Sequence, residues 1–115
     1  MPQWDARLPA GGARRRPRHA VSPAAVYFPA CVNTMFASSA GESGVHEAFL
    51  ALCERAGVRV SIPDGIGAMC CGTPWKSKGM TAGYDAMRER VGPWLWHATH
   101  RGRLPVVCDA ASCTE

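Results

Sequence analysis

A small α/β domain, with a parallel sheet of about three strands and crossover helices in the order βαβαβ, is predicted by three features of the sequence. Apolar runs of strand length at 24–28, 58–62 and 104–107 alternate with two segments of helical period. The first run lacks polar alternation, as a strand covered on both faces of a parallel sheet does. A cysteine-bearing loop follows each run. Strand–helix order of this kind folds through right-handed crossovers.

Taken in order, residues 1–23 are rich in Pro, Gly and Arg and show no period, so they read as a flexible basic linker. The domain proper spans 24–115. Ala24 to Phe28 is the first strand, ended by Pro29. Val45, Ala48, Phe49, Leu52, Cys53 and Ala56 then fall on one face of a helix. Ser43 or Gly44 can cap it, Glu47 suits its first turn, and Gly57 suits its C-terminal end. Val58 to Ile62 alternates like a strand, and Pro63-Asp64-Gly65 closes it.

A glycine-spotted loop, 65–78, carries Cys70 and Cys71. A second helical period runs through Met80, Tyr84, Met87, Val91, Trp94 or Leu95, and Ala98. A kink or restart is expected at Gly92-Pro93, because proline removes a donor and clashes one turn back. Gly102 closes this helix, and Leu104 to Val107 is the third strand.

Composition narrows the function classes. A chain of 115 residues holds one domain. With 19% charged and 47% hydrophobic residues it has the balance of an ordinary globular protein. Its net charge of +4 comes from Arg14, Arg15, Arg16 and Arg18. No aromatic residues interleave that run, so it reads as a solvated linker rather than a nucleic-acid contact. No apolar stretch reaches signal-peptide or membrane-span length, which points to the cytoplasm. Thiols stay reduced there, and clustered cysteines serve as metal ligands or redox groups.

Thirty-eight residues separate Cys31 from Cys70, and thirty-six separate Cys71 from Cys108. Zinc fingers pair their ligands two to four residues apart, so this is another arrangement. One βα unit fits each interval. Cys31 then follows the first strand, Cys70 and Cys71 the second, and Cys108 and Cys113 the third. Ligands gather at the carboxyl ends of such strands, and soft thiolates select zinc or iron–sulfur centres.

The layout Cys–(x38)–Cys-Cys-Gly–(x36)–Cys resembles the cysteine-rich CCG domain of the heterodisulfide reductases. Tyr27-Phe28-Pro29-Ala30-Cys31, Cys70-Cys71-Gly72-Thr73-Pro74-Trp75 and Asp109-Ala110-Ala111-Ser112-Cys113 most resemble the C-terminal part of FAD-linked, iron–sulfur D-lactate or glycolate dehydrogenases. The resemblance covers about 24–115. It implies an electron-transfer module binding an iron–sulfur cluster (4Fe–4S), with zinc as the alternative. It also implies a flavin-containing dehydrogenase domain or subunit as partner, the FAD lying there.

Carried over residue by residue, the ligands are Cys31, Cys70, Cys71 and Cys113. Ala110 stands where the wider family has the first cysteine of Cys-x-x-Cys; Cys108 either substitutes as a ligand or is buried. The flavin region and ferredoxin-like clusters of the parent oxidoreductases are absent from the sequence. The family also continues past the equivalent of Cys113. The chain is therefore expected to be an incomplete domain, truncated at its C-terminus and not catalytic by itself.

Among the remaining candidates, Cys53 reads as core, on the apolar face of its helix. Lys76 and Lys78 either offset thiolate charge or lie in solvent. The four histidines show no spacing that suggests ligation. Met80 and Met87 read as core, whereas one of Trp94 and Trp96 must face outward. No Gly-x-Ser-x-Gly elbow, phosphate loop or dinucleotide fingerprint is present.

Overall fold

The computed structural model describes Asp5 and residues 11–38 and 42–114. Three parallel strands form one sheet in the order β2-β1-β3: β1 is Ala25–Phe28, β2 Val60–Ser61 and β3 Val106–Cys108. Around them lie helices α1 (Val32–Met35), α2 (Val45–Arg55), α3 (Thr73–Lys76) and α4 (Thr81–Ala98). Short 3-10 turns occupy Ile66–Ala68 and Ala111–Cys113.

The expected α/β architecture is thus present. All four residues of β1 are buried, as its unbroken apolar run requires. β1 pairs Ala25 and Val26 with Val60 and Ser61 on one side. On the other it pairs Val26, Tyr27 and Phe28 with Val106, Val107 and Cys108. The chain therefore leaves the central strand toward one edge and returns to the other. The carboxyl ends of β1 and β3 form a topological switch point, where open α/β sheets place their sites.

Helix α2 has the expected bounds, but its buried side is rotated. Cys53 is in the core with Phe49 and Leu50 packed against it, while Val45 is 57% and Leu52 63% exposed. The reason is Tyr27. Its ring lies 4.5 Å from that of Phe49 and stacks on His46 at 5.5 Å, which centres the contact on one flank of the apolar stripe.

Helix α4 runs unbroken through Gly92-Pro93, where a kink or restart was expected. Val91, Trp94 and Leu95, around the proline, hold the helix on the core. Trp94 packs edge-on against Phe28 at 5.9 Å and donates to the Asp64 carbonyl at 2.8 Å. Glu89, whose carbonyl loses its helical donor to Pro93, is an exposed residue with water at hand. Trp96 is the outward-facing tryptophan. Met80, expected in the core, is 55% exposed, because it caps α4 before the helix reaches the sheet. Met87 is half-buried.

The described part of the lead-in is docked on the domain, where a mobile linker was expected. Arg18 forms an antiparallel bridge with Ile62, its N–H donating at 2.9 Å and its carbonyl accepting at 2.8 Å. Its guanidinium also meets Glu54 at 2.7 Å. The rest of the lead-in lies outside the described residues, as do 39–41 of the loop before α2 and the terminal residue 115.

Candidate metal centre

Cys31 opens α1, two residues after Pro29 ends the run from β1, and its carbonyl accepts the Thr34 N–H at 2.9 Å. What fixes this turn is Asp109, the first residue after β3. Its carboxylate accepts the Tyr27 hydroxyl at 2.7 Å, the Ala30 N–H at 2.6 Å and the Asn33 side-chain amide. One carboxylate thereby ties the ends of β1 and β3 to the turn that presents Cys31. Burial first, then the Asp109 hydrogen bond and charge, push the Tyr27 hydroxyl far above the usual phenol range. His46 approaches the same hydroxyl through Nδ1 at 3.3 Å.

Cys70 and Cys71 follow the Ile66–Ala68 turn and are themselves followed by Gly72 at φ 89°. A side chain at this buried position would have its Cβ 2.8 Å from the Tyr84 ring, so glycine is needed for both the turn and the fit. The Gly72 carbonyl then accepts the N–H groups of Trp75 and Lys76 and starts α3. This folds Thr73 back toward the thiols. Cys71 Sγ lies 3.3 Å from Thr73 Oγ1, and the Thr73 hydroxyl donates to the Ser112 carbonyl at 2.6 Å. The turn carrying Cys113 is thus anchored beside Cys71.

All six cysteines are free thiols. Five of them, Cys31, Cys70, Cys71, Cys108 and Cys113, sense one another at this edge; the sixth, Cys53, is core as expected. Burial pushes the Cys70 thiol up, and the charges of Cys31 and Cys71 add to it against a Gly72 N–H that pulls it down. Burial pushes Cys113 up to about 12, with Cys71 the next cause, then Cys108 and Cys31. Cys108, at the end of β3, is raised by burial, then by Asp109 and Cys71.

Cys71 alone is lowered. Burial raises it, but the Thr73 hydroxyl and N–H, with the thiols of Cys113 and Cys70, outweigh that. As a thiol Cys71 donates to Thr73; once ionised it can accept the Thr73 proton instead. Cys71 therefore becomes a thiolate, the form that binds soft metals, before Cys70, Cys108 and Cys113 do.

The sulfurs adjoin pairwise. Among the described residues, no three His, Cys, Asp or Glu side chains already stand as a metal-ligating group. The donor set nevertheless fits a soft cation: partly buried thiols from three loops, one of them predisposed to ionise.

Arginines share clefts with these cysteines. Arg14 and Arg15 line a cleft with Cys31, and Arg15 and Arg90 line one with Cys70. Arg88 lines a third, of about 440 Å³, with Cys71, Cys108 and Cys113. Lys76 and Lys78 are exposed and line none of the three. Asp109 and Arg15 escaped the sequence reading of the site, although Asp109 lay within a stretch singled out there. Compared with known protein families, characterised proteins and solved structures, the chain matches none.

Proposed function

We propose that the chain is an electron-transfer module whose iron–sulfur cluster or metal is held by Cys31, Cys70, Cys71 and Cys113. The observation that carries this reading is the meeting of thiols from three separate loops at the switch point of the sheet. Cys108 adjoins the same group and is the reserve ligand where the family's Cys-x-x-Cys is incomplete.

A bound cluster would supply one-electron transfer at moderate potential. By the resemblance of the segments around Cys31, Cys71 and Cys113, the electrons come from a flavin-containing dehydrogenase that oxidises a 2-hydroxy acid such as D-lactate. The chain itself supplies the ligands and an apolar surround. Free thiols suit a reducing compartment, the cytoplasm, and no described helix is long and apolar enough to cross a membrane.

The test is anaerobic reconstitution of the full chain with iron and sulfide, followed by metal analysis, visible absorption and EPR. Stoichiometric iron with a thiolate-to-iron absorption band is expected, lost in Cys71→Ala. A chain that takes up neither iron nor zinc sinks the reading.

A structural zinc site is the second reading, since soft thiolates hold zinc as readily as they hold an iron–sulfur cluster. Where the metal assembles its own site, binding and folding are coupled. Structural zinc then contributes an apparent ~10–16 kcal/mol, as much as the ~5–15 kcal/mol that holds a whole domain together. One colourless zinc per chain, with a large rise in thermal stability on loading, selects it over the cluster.

A further inference from the structure

We propose that Arg15 is a positioning residue for the thiol centre, a clamp that holds the turn of Cys31 against the segment of Cys70; the inference rests on the thiolate reading above. Its guanidinium donates through Nη1 to the Pro29 carbonyl at 3.1 Å and through Nη2 to the Met69 carbonyl at 2.8 Å. Pro29 lies two residues before Cys31, and Met69 is the residue before Cys70. The pairing of β1 with β2 covers only Ala25 and Val26, upstream of both segments. Beyond the end of that ladder, Arg15 bridges the two stretches.

Three further features make this a built contact. The segment is pinned on both sides: Gly12 donates its N–H to the Thr34 carbonyl at 3.0 Å, and Arg18 pairs with Ile62. The arm also passes so close to α1 that a Cβ at Gly12 would fall 1.8 Å from the Asn33 carbonyl oxygen. Arg15 is thus delivered with little freedom left to lose. Arg15, finally, lines two clefts, one of about 510 Å³ bordered by Cys31 and one of about 450 Å³ bordered by Cys70, and shares both with Gly67.

A planar fork suits this task as an ammonium does not. Guanidinium presents fixed, diverging donors that reach two carbonyls at once and stays charged at any working pH. The two bonds use two of its five N–H groups.

The test compares Arg15→Ala and Arg15→Lys with Arg16→Ala, which removes the same charge from the exposed neighbouring residue. In the full chain, affinity for zinc alone, measured against a competing chelator, should fall by roughly 10–100-fold for both Arg15 variants, the range for outer-shell partners of metal ligands, and little for Arg16→Ala. In a metal-free Cys71→Ser/Cys108→Ser/Cys113→Ser background, a short bis-alkylating thiol reagent should link Cys31 to Cys70 several-fold less in either Arg15 variant.

Equal crosslinking in Arg15→Lys and Arg16→Ala overturns the clamp, whatever the metal result. Loss of crosslinking in a chain that takes up no zinc or iron upholds the clamp and fails the metal reading. Should Arg15→Ala not fold, Arg15→Lys, which keeps the charge and loses the fork, decides by both measurements.

Discussion

Two side-chain networks meet at the carboxyl edge of the sheet, and they differ in how complete they are. Around Asp109 every donor has its acceptor: a hydroxyl, a backbone N–H and an amide converge on one carboxylate. Around Cys71 the sulfurs find chiefly one another, and Cys70, Cys108 and Cys113 are all pushed up, by burial first and by neighbouring charge after it. The oxygen network therefore stabilises the fold by itself. The sulfur network resists ionisation until something positive shares it. Architecture and chemistry have been given to different atoms a few residues apart.

The largest effect expected from breaking this division is Asp109→Ala. It would strand the hydroxyl of Tyr27, a fully buried residue, and the Ala30 N–H, each costing about 1–3 kcal/mol when left unpaired. A loss of about 3 kcal/mol in urea unfolding of the metal-free chain is expected, large against a typical domain's net stability. A variant as stable as the parent would show that the latch holds nothing. Cys113→Ala in the same assay should be milder, because no completed bond goes with it.

The difference between the networks also explains what was legible in the sequence. The three-stranded parallel α/β class could be read because it rests on period: apolar runs set the strands, and helical stripes lie between them. The Asp109 bonds span 76 to 82 residues and the Arg15–Met69 bond 54, and no period connects such partners. Composition also misled at Arg15. A run of arginines looks solvated, and Arg14 and Arg16 are exposed, but the chain bends so that one member points inward. The apolar stripe of α2 was visible, whereas the flank that meets the sheet was set by the position of Tyr27.

Alkaline pH sharpens the comparison, since it charges sulfur and leaves the carboxylate alone. A thiol whose pKa is raised on folding stabilises the fold fully below its unfolded value, near 9.0, and loses that contribution as pH climbs toward the folded value, about 12 for Cys113. Cys71 has the opposite sign: its contribution is complete above the unfolded value and is lost as pH falls through its lowered folded one. Unfolding of the metal-free, reduced chain should therefore become easier from about pH 9 upward, and Cys113→Ala should remove much of that slope. Metal-loaded protein, whose ligands have already given up their protons, should lack it. Identical pH profiles for the parent and Cys113→Ala would mean that the fold does not hold the Cys113 thiol above its ordinary range.

The smallest expected effect lies inside the sulfur network, at Thr73→Val. The hydroxyl accepts from Cys71 and donates to the Ser112 carbonyl, so its removal costs about 1 kcal/mol in an exposed loop. Stability is the lesser readout. Burial, the largest influence on Cys71, acts upward, and the Thr73 hydroxyl is the first of the interactions that outweigh it. Without that hydroxyl the thiol should shift upward and react more slowly with an alkylating reagent at neutral pH. The Thr73 N–H remains, so the shift should be partial, and Thr73→Ser should restore the parent rate. A reaction profile unchanged in Thr73→Val would place the cause of Cys71's ionisation elsewhere, in the α3 backbone or in its fellow thiols.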